Sequence, residues 1–129
     1  MGEQPDRIIA SVARSDVAPV ELPGREWGLL LGPDNVGATH LTLGFADFPG
    51  GSAPLGHVHP TEEEMMYVLS GSGRLISGDQ ALKLEPGVAV YVPPGVSHST
   101  VADPNEPLRL ITVFSPPVVP GSYEPASST

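Results

Sequence analysis

The sequence contains no cysteine. That absence excludes a disulfide framework, a cysteine-built zinc knuckle, a thiol nucleophile and an iron–sulfur site. Positive charge is scarce: six Lys and Arg face fifteen Asp and Glu, for a formal charge of -9. A nucleic-acid binder needs a basic footprint, and an anionic membrane surface repels such a chain, so neither partner is expected. Long apolar runs are missing as well. The longest stretches are four or five residues, far short of a spanning helix. Met1 to Asp6 is polar and acidic, and no apolar segment of a signal peptide follows. The expectation is a soluble, cytoplasmic protein.

What is present is punctuation. Of 129 residues, 15 are glycine and 16 proline, spread between short apolar runs and not massed in a repeat. Leu, Val and Ile are numerous enough to supply a core. This pattern reads as all-β with many turns. The length is that of one domain, able to bury a core without staples.

Period-two alternation marks the strands. Within Ala38 to Phe48, Leu41, Leu43 and Phe45 share one face; His40, Thr42, Gly44 and Ala46 share the other. Glu64, Met66 and Val68 likewise oppose Met65, Tyr67 and Leu69. Arg74–Ser77 and Gln80–Leu84 read as a hairpin around Gly78-Asp79, with glycine placed for a type II′ turn. Val88–Val92, His98–Val101 and Leu108–Phe114 are further strands, and Pro94-Gly95 fits a type II turn between the first two. Glu26–Leu31 is a short apolar run, and Arg7–Val12 a possible strand without clean alternation. The one helix candidate is Thr61–Leu69, which opens on a capping box, but its length and Tyr67-Val68 favour strand. From Pro116 the tail is rich in Pro and Ser with little to bury, so an extended or mobile segment is expected. At least eight short strands with almost no helix make a sandwich or a barrel.

Four histidines are present: His40, His57, His59 and His98. In a strand, residues i and i+2 share a face, so the imidazoles of His57 and His59 point the same way. As neutral ligands they can converge on one cation; two surface histidines beside a turn are the alternative. Glu64 shares its face with Met66 and Val68, and a carboxylate on a core face needs a partner. A cation resolves this. His98 opens a strand three residues after the Pro94-Gly95 turn.

With these residues in place, the sequence resembles the cupins, small metal-binding β-barrels. Their first motif reads G-x5-H-x-H-x(3 or 4)-E-x6-G, and Gly51, His57, His59, Glu64 and Gly71 stand at that spacing. The second reads G-x5-P-x-G-x2-H-x3-N; Gly87, Pro93, Gly95 and His98 match, while Ala102 replaces the final Asn. Fifteen residues separate the two motifs, as in single-domain bacterial cupins.

The resemblance implies a double-stranded β-helix (a cupin or jelly-roll barrel) of two antiparallel sheets. One cupin domain would span 1–129: an N-terminal arm over 1–24, the motif-bearing barrel over about 39–114 and the tail over 116–129. It also implies one divalent transition metal (Zn, Fe(II), Mn, Ni or Cu) held by His57, His59, Glu64 and His98. A homodimer with Arg7–Val12 as an exchanged strand is implied too. Met66, Val68 and Thr100 share the ligands' faces and would line the substrate cavity, with Val90, Leu110 and Phe114 as further apolar wall. His40 is open: on the outer face it is inert, and on the cavity face it is a catalytic acid–base group or a ligand competing with Glu64.

Arg74, Lys83 and Arg109 are the only basic residues after Arg25. Phosphorylated sugars and dicarboxylates need more positive charge, so a largely apolar, aromatic keto or enol compound is expected. The analogy is to quercetinase-like dioxygenases and cupin-type aromatic polyketide cyclases of bacterial secondary metabolism. A metal-dependent binding or sensor protein is the alternative class.

Overall fold

A computed structural model describes residues 8–125. Eleven strands occur among them: β1 (Val20–Leu22), β2 (Arg25–Leu31), β3 (Thr42–Phe48), β4 (His57–Val58), β5 (Glu63–Ser70), β6 (Gly73–Ser77), β7 (Gln80–Leu84), β8 (Ala89–Val92), β9 (Ser99–Ala102), β10 (Leu108–Ser115) and β11 (Glu124–Pro125). The helical content among these residues is one 3-10 turn at Arg14–Asp16 and one α-turn at Pro33–Val36.

The strands form two antiparallel sheets of a double-stranded β-helix. The larger has the order β1-β2-β3-β10-β5-β8. The smaller combines β7-β6-β9 with the pair β4-β11, joined by an isolated antiparallel bridge between His57 and His98. Non-consecutive neighbours such as β3 and β10 mean that chain-distant segments meet, so residues from both halves of the sequence reach one interior.

Alternation is obeyed where it was expected. On β5, Glu64, Met66 and Val68 are buried while Met65, Tyr67 and Leu69 are exposed. On β10, Leu108, Leu110, Thr112 and Phe114 face inward. The core draws on both sheets, with Leu75 and Leu84 opposing Val68, Leu110 and Phe48. Each such side chain contributes about 1.5–3 kcal/mol on full burial.

The turns follow their residues. Pro93-Pro94-Gly95 closes with Val96 N–H donating to Pro93 O at 3.4 Å, and Gly95 has φ 78°, a left-handed value that admits glycine without steric cost. At the β6–β7 hairpin Gly78 takes φ 56° while no non-glycine residue among those described has positive φ, the φ pattern of a type II′ turn.

At the chain ends the expectation of a mobile tail is corrected, while Arg7–Val12 as an exchanged strand stays a proposal. Residues 8–12 pair with no strand, and Ile8 and Ile9 are fully solvated; Arg7 lies outside the described residues. An exchanged strand pairs with a second copy, and in a single chain this segment lies without a partner strand. The tail, by contrast, is packed. Val118 is 7% exposed and belongs to the core, with its N–H donating to Thr42 Oγ1 at 3.1 Å. Glu124–Pro125 then pairs with His57–Val58 as β11. Val118 and Tyr123, which packs on the His57 ring, anchor it among the prolines; residues 126–129 lie outside the described set.

Candidate metal centre

Four side chains converge at the junction of the two sheets. His57 opens β4, and its backbone exchanges hydrogen bonds with His98: His57 N–H to His98 O at 2.9 Å, His98 N–H to His57 O at 3.0 Å. His59 follows two residues later, its carbonyl accepting from Gly95 N–H at 2.8 Å, so the Pro-Pro-Gly turn fixes its backbone. Glu64 arrives from the opposite sheet, on the inner face of β5.

One ligand atom from each of His57, His59, Glu64 and His98 can be chosen so that all lie within 4.8 Å of one another. Glu64 Oε1 stands 3.3 Å from His98 Nε2 and 3.6 Å from His59 Nε2. Despite these distances, His59 Nε2, Glu64 Oε1 and His98 Nε2 are buried without a well-formed hydrogen bond. Three orphaned polar atoms aimed at one point are costly in a dry interior, and a shared cation removes the cost. The donor set therefore fits a divalent metal: three imidazole nitrogens and a carboxylate, with no thiolate.

The far side of two rings is also arranged. His59 Nδ1 lies 3.2 Å from Ser122 O and His98 Nδ1 3.0 Å from Val96 O. A carbonyl can only accept, so each Nδ1 carries the proton and each Nε2 presents its lone pair to the cluster. Burial drives the pKa of His57 down from 6.5 to about 3, with the charges of His98, Arg25 and His59 adding to it. Burial also lowers the pKa of His59, partly offset by Glu64. Burial opposes the protonated form of His98 too, but the Glu64 carboxylate outweighs it and raises that pKa. Neutral rings at His57 and His59 are the form that binds metal.

The cluster ends a cavity lined by both sheets and by the tail. Trp27, Met66, Leu110 and Phe114 give it apolar walls, and Thr100 and Thr112 add hydroxyls. Trp27 Nε1 donates to Thr112 Oγ1 at 3.0 Å, in full burial. Gly44 makes room for this indole: a Cβ there would stand 2.3 Å from the Trp27 ring.

Of the sequence-derived residues, His57, His59, Glu64 and His98 are brought together, and Met66 and Thr100 line the cavity. Val68 does not; it is 1% exposed in the core, one inward step further along β5. Val90 is likewise core and not wall. His40 is a correction as well. The inner face of β3 is the one with Thr42, Gly44 and Ala46, but the strand begins at Thr42. His40 lies in the preceding bend, exposed and outside the cavity, with its carbonyl accepting from Ser115 Oγ at 2.7 Å. It joins neither the ligand cluster nor the cavity wall.

The sequence reading missed Arg25, Trp27 and the tail segment Val118–Tyr123, all of which line the cavity. The i, i+2 spacing of Arg25 and Trp27 was the available signal for the first two. For the tail, the signal was Tyr123, whose ring packs 4.7 Å from that of His57.

The family described as "Cupin domain" matches residues 44–114. Tetracenomycin polyketide synthase protein TcmJ of Streptomyces glaucescens is 32% identical over 115 residues, covering 89% of this chain and 77% of that protein. Protein SchB of Streptomyces halstedii is 34% identical over 98 residues, covering 76% of this chain and 69% of its own. Among solved structures, the polyketide cyclase RemF from Streptomyces resistomycificus superposes with a TM-score of 0.76 at 25% identity, covering 95% of this chain and 88% of that one.

Proposed function

The chain belongs to the cupin family, and from that premise we propose that it is a metal-dependent enzyme acting on a small aromatic keto–enol compound, closing a ring in an aromatic polyketide intermediate. The observation that carries this reading is a cluster of orphaned nitrogen and carboxylate donors at the end of an apolar cavity. The names of two relatives, a polyketide synthase protein and a polyketide cyclase, favour the substrate class.

His57, His59, Glu64 and His98 would hold the metal, which supplies a Lewis acid for a keto or enol oxygen. The chain's own groups do the rest. Trp27, Met66 and Phe114 bury an aromatic ring by area and dispersion and exclude water. Glu64, if one oxygen stays free, takes the proton from the carbon between two carbonyls; that carbon then bonds to a second carbonyl carbon, and the proton returns to the new alkoxide. Loss of water completes an aromatic ring. No oxidant enters this balance.

We also assign the outer face of the large sheet to a homodimer contact. Tyr91, Met65, Val113 and Leu43 run across four adjacent strands in register, and Tyr67 and Leu69 extend the apolar face. Met65 is 55% and Tyr91 50% exposed, an apolar surface that a second copy would cover.

The test is turnover of a synthetic aryl-capped 1,3,5,7-tetraketone by metal-reconstituted protein under strict anaerobiosis, followed by mass spectrometry and by NMR to tell a carbocycle from a pyrone. A carbocyclic product lighter by one water, formed at the aerobic rate, supports ring closure. Turnover only in air, with oxygen incorporated, assigns the protein to enol-cleaving dioxygenases instead. No turnover in either atmosphere, with benzoylacetone leaving a Co(II)-substituted spectrum unchanged, defeats both.

A further inference from the structure

Arg25 is the one cationic side chain lining the cavity among the described residues. It shares the inner face of β2 with Trp27, while Glu26 between them points the other way. Arg74 is also without an ion-pair partner, but it is exposed on β6 and outside the cavity. Three other basic groups are paired or near a carboxylate. Arg14 is ion-paired with Asp47, Arg109 approaches the same carboxylate at 3.9 Å, and Lys83 lies 3.4 Å from Glu85. In a chain with fifteen acidic residues, no described carboxylate comes within ion-pair distance of Arg25.

Its position is nevertheless fixed. One guanidinium nitrogen donates to Pro23 O at 2.9 Å, and the guanidinium carbon stands 5.1 Å from the centre of the Tyr123 ring. Tyr123 in turn packs against His57. Arg25 therefore sits two aromatic contacts from the donor cluster, half-buried. A guanidinium offers five N–H donors in a planar fork, and the carbonyl of Pro23 uses one. The remainder, beside apolar walls, form a bidentate seat for a carboxylate.

We infer that Arg25 is a specificity-determining residue that grips an anionic oxygen group, a carboxylate, on the part of the substrate remote from the donor cluster. This rests on the keto–enol reading above and narrows it: the substrate is an aromatic keto–enol acid, with its keto–enol end toward His57, His59, Glu64 and His98. One carboxylate is enough to match one arginine. The surplus of acidic residues elsewhere works against more highly charged ligands.

The experiment compares two probes, benzoylacetone and its para-carboxylated analogue, by calorimetric titration into the zinc-reconstituted protein at neutral pH. The added carboxylate is para to the diketone and does not disturb it. The ratio of the two dissociation constants carries the test. In the wild type the carboxylated probe binds tighter by about tenfold or more, the range of a charge-assisted hydrogen bond. The ratio falls toward one as NaCl is raised and in Arg25→Gln, while Arg25→Lys keeps part of it because a point charge lacks the fork. Equal binding of both probes by the wild type, or an undiminished ratio in Arg25→Gln, overturns the assignment and leaves the keto–enol reading standing. Failure of both probes to bind defeats the keto–enol reading and the assignment with it. Should Arg25→Gln not fold, the salt dependence of the wild-type ratio decides alone.

Discussion

His57 and His98 hydrogen-bond each other through their backbones, each N–H donating to the other's carbonyl at 2.9 and 3.0 Å, while their rings pack edge-on with centroids 4.5 Å apart. This pair bridges β4 to the end of β9, so the seam of the smaller sheet and the donor cluster share two residues. The hydrogen bonds do not depend on the imidazoles and persist in an alanine variant. His98→Ala is therefore expected to keep the fold and lose the metal. Elemental analysis should find about one divalent ion per wild-type chain and less than a tenth of that in the variant. A full complement of metal in His98→Ala overturns the assignment.

Glu64→Gln separates binding from chemistry. The amide keeps the volume, and the three imidazoles remain. Metal content is expected to fall by less than turnover, which should drop roughly a hundredfold or more with the loss of a positioned base. Equal losses in the two measurements would mean that Glu64 serves as a ligand alone.

The tail is part of the fold. Val118→Ala removes two buried methyl groups from the core beside Thr42 and should destabilise the protein by about 2 kcal/mol. Chemical denaturation should show a lower midpoint with an unchanged slope. A midpoint equal to that of the wild type would mean that the tail is detached in solution.

Acid should destabilise the metal-free protein through His57. Its pKa is lowered to about 3 in the folded state, burial being the main cause. Between pH 6.5 and 3 the unfolded chain binds a proton that the folded chain refuses, so stability present above pH 6.5 is lost as pH falls. His59 acts in the same direction; His98, with a raised pKa, acts against it. His57→Gln should flatten the melting temperature against pH in this window. Identical slopes for variant and wild type would rule His57 out as the source.

Light scattering should give twice 13.4 kDa for the wild type. The double variant Met65→Glu, Tyr67→Glu should shift this to the monomer with metal retained, because both side chains point away from the cavity. A wild-type monomer at micromolar concentration contradicts the assigned contact.

The four donors were legible as a set through the spacing that resembles the cupin motifs, and two short-range rules support part of it. Strand parity puts His57 and His59 on one side, and the same parity makes Glu64 an unpaired carboxylate on a core face. Around β3 parity set Leu41, Leu43 and Phe45 apart from His40, Thr42, Gly44 and Ala46 but did not decide which set faces inward, and it says nothing of where a strand begins. His40 keeps the right parity and lies outside because pairing with β10 starts at Thr42. The reach of a cavity is likewise invisible to alternation: Met66 and Val68 share a face, and only the depth of the neighbouring sheet decides that Val68 is core. The tail failed for another reason. Its anchoring depends on contacts between residues 63 or more positions apart, such as His59 with Ser122, and local composition cannot report those.

The four donor residues all fall within residues 44–114, the segment shared with the family, whereas Arg25, Trp27 and Val118–Tyr123 lie on either side of it. All the donors thus lie in the shared segment, which also supplies wall residues such as Met66, Thr100, Leu110, Thr112 and Phe114, while the rest of the wall comes from the two flanking stretches. Substitutions at the two ends can reshape what the cavity accepts while the middle keeps its chemistry. A lineage built this way can change substrate by small steps without passing through a protein that has lost its donor cluster.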